Sequence, residues 1–228
     1  MVCKEKIVLE KILVVSPHPD DETLGAGGSL LKFKSQGSKI YWLNVTNMRE
    51  KYGYSKQQVT NRKNEVNNVK KLYNVDKYFD LGLKPASLEY SFSSKYIDKI
   101  ASIYRKIKPT TLIVPYKNDI HSDHRFVYKY CFSLSKIFRQ PSIKCILMME
   151  ILSETDFVEP DNAFSPNFFV DITDFLDQKL LIMEKYKSEL GEHPFPRNID
   201  SIRSLASIRG VQAGCKYAES FRLVKGII

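Results

Sequence analysis

Two short apolar runs, at residues 11–16 (Lys-Ile-Leu-Val-Val-Ser) and 111–115 (Thr-Leu-Ile-Val-Pro), limit the fold more than any other feature of the chain. Each is β-branched in part and ends at a proline, which is how a strand buried in a parallel sheet reads. The segments around them alternate between strand and helix patterns. Helices are expected over 24–36, with Gly37 as a stop, then over 56–73, 96–107, 123–138, 172–190 and 199–213. Further strands are expected at 39–45, near Tyr78 and Phe79, at 144–150 and at 168–171. This alternation predicts an α/β three-layer sandwich, a Rossmann-like, mainly parallel sheet with helices on both faces. No linker rich in glycine, serine or proline divides the chain, so residues 1–228 read as one domain.

Both runs lead into clusters of histidine and acid. His18-Pro19-Asp20-Asp21-Glu22 follows the first and His121-Ser122-Asp123-His124 the second, and these hold three of the four histidines in the chain. Parallel strands would place both clusters at the carboxyl edge of the sheet, where open α/β sheets bind ligands. Pro17 and Pro19 keep residues 16–20 out of helical geometry, so His18 and Asp21 project from a stiff turn. His121 and His124 are spaced i and i+3 and share a face once the segment enters a helical turn. Imidazole and carboxylate ligands suit zinc, and three protein ligands leave a position for water. A simple N-cap would explain one aspartate of the first cluster, but not three successive acids beside a histidine.

Composition narrows the setting. Hydrophobic residues make up 43% of the chain and charged ones 27%, ordinary values for a globular protein, and no apolar run approaches a transmembrane length. The first residues lack a signal-peptide core, which predicts a cytoplasmic protein. Cys3, Cys131, Cys145 and Cys215 form no Cys-x-x-Cys pair, so neither a cysteine zinc site nor a disulfide framework is expected. The net charge of +9 comes from lysines spread along the chain without a dense tract, so no nucleic-acid partner is expected.

The stretch Ser16-Pro-His-Pro-Asp-Asp-Glu-Thr-Leu-Gly-Ala-Gly-Gly28 resembles the first signature of the LmbE-like (PIG-L) zinc-dependent N-deacetylases, and His121-Ser-Asp-His124 resembles their second. Weaker matches at Arg62 with Glu65, at Asp80-Leu-Gly and at 210–221 extend the resemblance over nearly the whole chain. It implies that His18, Asp21 and His124 bind zinc and that Asp20 is the general base. His121 would then stabilise the oxyanion as a charged imidazole or protonate the leaving amine, with Asp123 orienting its ring. Arg62 and Asp80 match substrate-binding positions, whereas Arg209 stands where some relatives carry histidine. The implied activity is removal of an acetyl group from an N-acetylated amino sugar or its conjugate. Arg62 and the net charge favour an anionic, for example phosphorylated, derivative. A metal-dependent amidase for another amide, and a non-catalytic cation- or nucleotide-binding module, are the alternatives. Whether the protein forms a homo-oligomer is left open by the sequence.

Overall fold

The computed structural model describes residues 9–91 and 93–227. In chain order they form β1 (Lys11–Ser16), α1 (Asp21–Ser35), β2 (Lys39–Thr46), α2 (Lys56–Leu72), β3 (Lys77–Leu83), the one-turn α3 (Leu88–Ser91), α4 (Ser94–Ile107), β4 (Thr111–Val114), α5 (Ser122–Leu134), β5 (Cys145–Met149), β6 (Phe168–Asp171), α6 (Leu176–Met183), α7 (Ile199–Ala213) and β7 (Ala218–Gly226). Seven strands make one sheet in the order β3-β2-β1-β4-β5-β7-β6. Strands β1 to β5 run parallel, and β7 is inserted antiparallel between β5 and β6.

Strand alternation divides the core into two layers. Ile12 and Val14 of β1 pack with α1, α6 and α7 on one face, while Leu13 and Val15 pack with α4 and α5 on the other. Burial on both faces explains why β1 and β4 are continuously apolar. The result is the expected three-layer α/β sandwich with a mainly parallel sheet. No helix among the described residues is long and apolar enough to cross a membrane. Cys131, Cys145 and Cys215 are free thiols, and Cys3 lies outside the described residues.

Four elements differ from the sequence expectation. Strand β7 and the one-turn α3 were not anticipated, the helix expected over 123–138 ends at Leu134, and the helix expected over 172–190 extends only over Leu176–Met183. The last difference has a local cause. Tyr186 turns inward and donates its hydroxyl to Glu22 Oε1 at 2.7 Å, which draws the following segment toward the carboxyl edge of the sheet.

Helix α1 carries the first cluster and is held from the side by a buried ion pair. Lys179 Nζ donates to Glu219 Oε1 at 2.7 Å and to the Leu24 carbonyl at 2.8 Å. The Glu219 carboxylate accepts from the backbone N–H groups of Gly28 at 2.8 Å and Ser29 at 2.7 Å. Both side chains therefore reach into the helix backbone, beside Gly27 and Gly28; a Cβ at Gly27 would stand 3.2 Å from Lys179 Cγ. A Cβ at Gly28 would stand 2.8 to 2.9 Å from side-chain atoms of Ile172, so this glycine serves packing rather than the approach of a ligand. Removing one partner leaves a buried charge unpaired, at a cost of about 3–5 kcal/mol. Glu219→Ala should lower the free energy of unfolding by that amount in urea titrations of the chelator-treated protein, whereas exposed Asp177→Ala should change it by less than about 1 kcal/mol.

Candidate metal centre and cleft

The two clusters meet because β4 lies beside β1 on the side away from β2. The chain leaves these adjacent parallel strands in opposite directions, which opens the crevice where α/β sheets bind ligands. The Pro17 carbonyl accepts from Thr46 N at 2.9 Å and Thr46 Oγ1 at 2.8 Å, pinning the first turn against β2. Asp20 follows with φ 139° and ψ −31°, a strained conformation for a residue with a side chain. Its carbonyl accepts from Thr23 N and Leu24 N, but its carboxylate makes no capping bond. Simple capping is therefore not what the Asp20 carboxylate does.

Three side-chain atoms converge. His18 Nδ1 lies 3.4 Å from Asp21 Oδ2, His124 Nε2 lies 3.3 Å from the same oxygen, and the two nitrogens are 3.3 Å apart. A tetrahedral zinc ion with bonds of about 2.0–2.1 Å separates its ligand atoms by about 3.3–3.4 Å, so this triangle fits one face of such a coordination sphere. Each imidazole is held from behind by a carboxylate. Asp123 Oδ2 stands 3.1 Å from His18 Nε2, and Asp119 Oδ2 stands 2.9 Å from His124 Nδ1. These contacts put the ring protons on the far nitrogens and leave Nδ1 of His18 and Nε2 of His124 free to hold a metal ion.

The role expected of Asp123 changes accordingly. Its carboxylate accepts from Ala86 N at 2.7 Å and Leu88 N at 3.1 Å and faces His18, so it orients that ring rather than His121. His121 is met instead by the Asp123 backbone, whose N–H donates to Nδ1 at 3.1 Å. Asp119 had no place in the sequence reading. Its only signal was an acid two residues before His121, and its other oxygen accepts from His121 N at 3.0 Å.

The electrostatics ask for a cation. Burial would lower His18, but Asp123 and Asp21 outweigh it and raise the imidazole to about 9. His124 is raised as well, by Asp21 and Asp119 against the effect of burial. Burial would raise Asp21, yet the two imidazoles hold its carboxyl well below the usual range. Asp20 moves the opposite way, pushed up by burial and then by Asp21 and Glu189. Burial, followed by the neighbouring His18 and His124 rings, lowers His121 to about 4. His121 is thus neutral at pH 7, not the charged imidazole expected, and with Nδ1 accepting it offers Nε2–H as a donor.

The cleft above the triangle has a volume of about 350 Å³ and is lined by His18, Asp20, Asp21, Tyr54, Arg62, His121, Glu154, Glu189 and Arg197, among others. Arg62 is 3% exposed, and its donors are engaged by the protein. NH1 donates to the Pro19 carbonyl at 2.8 Å and NH2 to Ser188 Oγ at 2.8 Å, while Glu189 and Glu65 form ion pairs with it. This arginine therefore braces the metal-site turn while lining the cleft. Asp80 is not among the cleft-lining residues. It accepts from Asn47 Nδ2 at 2.9 Å, Arg49 NH2 at 3.1 Å and Gly82 N at 2.8 Å, and so positions Asn47, which does line the cleft. Arg209 pairs with Glu150 and His193 is exposed on its loop. Glu154, Glu189 and Arg197 were missed because they lie on loops between elements, with no spacing to mark them.

The site predicts proton-linked metal binding. Metal-free His18 is protonated below about pH 9 and His124 well above its ordinary value, so binding must release protons and apparent affinity must rise with pH over that range. Calorimetric zinc titrations of the metal-free protein at pH 7, in buffers of different ionisation enthalpy, should show release of one to two protons. Asp119→Ala should weaken zinc binding by about 10- to 100-fold. Zero proton release would contradict the two-imidazole triangle.

Comparison with known proteins agrees with this geometry. Residues 13–135 match the family model PIG-L, described as GlcNAc-PI de-N-acetylase. The chain is 24% identical to the diacetylchitobiose deacetylase of Thermococcus kodakarensis, with 96% of this chain and 85% of that protein covered. It is 25% identical to a probable N-acetyl-alpha-D-glucosaminyl L-malate deacetylase 2 of Bacillus cereus, with coverage of 78% and 83%. The solved N,N'-diacetylchitobiose deacetylase of Pyrococcus horikoshii superposes with a TM-score of 0.76 at 22% identity, covering 95% of this chain and 84% of that one. A family match over more than half of the chain, including both clusters and the strands that deliver them, makes this protein a member of the PIG-L family of de-N-acetylases.

Proposed function

We propose that this chain is a single catalytic domain, a zinc-dependent N-deacetylase that removes the acetyl group from an N-acetylated amino sugar such as an N-acetylglucosamine unit. The observation that carries the reading is the division of labour between adjacent carboxylates. Asp21 joins the histidine triangle, while Asp20, buried beside it, lines the cleft and stays outside the triangle. The relatives' names support an acetamide on a glucosamine unit as the substrate.

His18, Asp21 and His124 would hold the ion. Bound zinc supplies an acidified water and polarises the acetamide carbonyl. Asp20 accepts the proton of the attacking water as the C–O bond forms, then passes it to the nitrogen as the C–N bond breaks, giving acetate and a free amine. An ordinary aspartate is a weak base at pH 7, and the upward shift of Asp20 brings its proton affinity closer to the task. His121 donates Nε2–H to the oxygen on which negative charge develops. Asp119 and Asp123 fix the two metal-facing rings, and Arg62 fixes the turn that carries Asp20.

These roles separate in variants. Asp20→Asn should keep its zinc and lose about two to four orders of magnitude in kcat. His121→Ala should keep zinc and lose about 10²–10³, whereas His18→Ala or His124→Ala should lose metal and activity together. Acetate release from N-acetylglucosamine compounds, read beside metal content, tests all four. The pH profile should show an acid limb above the ordinary aspartate range, because Asp20 must be ionised and its carboxyl is raised. His121 is neutral at the working pH, so His121→Ala should lower the whole profile without removing an alkaline limb. An alkaline limb abolished by that change would overturn the neutral-donor assignment.

A further inference from the structure

Part of the cleft wall is built from two loops, one after β5 and one before α7. Arg197 ties them together, with Nε donating to the Glu189 carbonyl at 3.1 Å and NH1 to Ser153 Oγ at 3.2 Å. Its guanidinium also faces Glu189 Oε2 at 3.5 Å and Glu154 Oε1 at 3.7 Å. Arg62, the other cleft cation, pairs with Glu189 and Glu65. The positive charge of both guanidiniums is thus shared first with Glu189.

The acids are less well matched. Glu154 lines the cleft with its side chain 15% exposed, and Oε1 is met by Ser153 Oγ at 3.4 Å and by Arg197 only at 3.7 Å. Among the described residues no donor meets Oε2. Burial, with contributions from Asp21 and Asp119 and relief from His124 and Arg197, pushes this carboxyl up to about 7, as expected of a carboxylate short of partners. Asp20, Asp21 and Glu189 add three more carboxyl groups to the same cleft. Arg62 and Arg197 are the cations among the residues lining it, and much of the lysine excess behind the net charge of +9 lies elsewhere. Lys11, Lys39 and Lys77 begin β1, β2 and β3, and Lys34, Lys71 and Lys106 sit in the last turns of α1, α2 and α4, all at the opposite edge of the sheet.

We propose that Glu154 is a specificity residue that accepts a hydrogen bond from a hydroxyl or ammonium group on the part of the substrate beyond the reacting acetamide. The cleft thereby selects neutral or amine-bearing N-acetylated sugars over phosphorylated ones. This rests on the deacetylase reading and reverses the sequence-based expectation of an anionic substrate. A carboxylate short of partners repels a phosphate placed against it, and its unmet acceptor favours a donor.

The test compares kcat/KM of the zinc-loaded enzyme for N,N'-diacetylchitobiose, its singly deacetylated form carrying one free amine, and N-acetylglucosamine 6-phosphate. The two uncharged or amine-bearing sugars should exceed the phosphate by at least about tenfold, and added salt should narrow the gap by screening the repulsion. Glu154→Gln should reduce the advantage of the amine-bearing sugar about tenfold, mainly through KM. Glu154→Lys should bring the phosphate level with the neutral sugar. Binding of glucosamine and glucosamine 6-phosphate by calorimetry gives the same ranking without turnover. A wild-type preference for the phosphate, or unchanged ratios in both variants, would overturn the assignment of Glu154 while leaving the deacetylase reading in place. No acetate from any of the three would remove that reading and this inference with it.

Discussion

The pairing of β4 with β1 is the contact on which the chemistry depends. His18 and His124 are 106 positions apart, and nothing local brings them together. Ile12, Leu13 and Val14 align with Thr111, Leu112 and Ile113, and that register sets the two following turns side by side. A slip of one residue would exchange the faces on which Ile12 and Leu13 are buried, so the same hydrophobic alternation that builds two cores also fixes the imidazole geometry. Precision at the site is inherited from apolar packing beneath it.

Charge burial supplies the second constraint. Asp20, Asp21, Glu22, Asp119 and Asp123 are each at most 4% exposed. Ionised carboxylates out of water are costly unless paired or hydrogen-bonded. Here the pairing partners are imidazoles, backbone N–H groups and the Tyr186 hydroxyl, and the metal-free centre completes its balance by holding protons on His18 and His124. A divalent ion held there would provide the same positive charge at the point where three lone pairs meet. Metal occupancy and folding stability are therefore linked, since a ligand set assembled only in the folded state contributes its binding energy to that state.

What the sequence revealed follows from this arrangement. Strands β1 and β4 were legible because burial on both faces removes polar residues from them, and the two clusters were legible because chance does not concentrate histidine and acid at strand ends. Strand β7 was not, because its buried Glu219 interrupts the apolar pattern, and the reason for that acid lies in Lys179 and α1. Arg62 matched a substrate-binding position, and no sequence signal marked it as buried. Its burial depends on Pro19, Ser188 and Glu189, partners 43 to 127 positions away that periodicity cannot report. Asp119 was hidden for a related reason. A single acid in a loop becomes meaningful only when a ring nitrogen from α5 is seen 2.9 Å from it.

The protonation state of His121 bears on the proposed reaction. The Asp123 N–H occupies Nδ1, and the site already concentrates positive charge at His18 and His124, so a second proton on His121 would meet both a blocked acceptor and like-charge repulsion. A neutral ring can donate one hydrogen bond to a developing oxyanion and keep its proton throughout. In the reaction proposed above, the proton needed by the departing nitrogen would then come from the group that removed it from water. Asp20 would serve both transfers, its raised proton affinity suiting it to take the proton and to return it. The turn that carries it is strained at Asp20 itself and held by Thr46 and Arg62, and that rigidity keeps its carboxylate apart from the triangle of His18, Asp21 and His124.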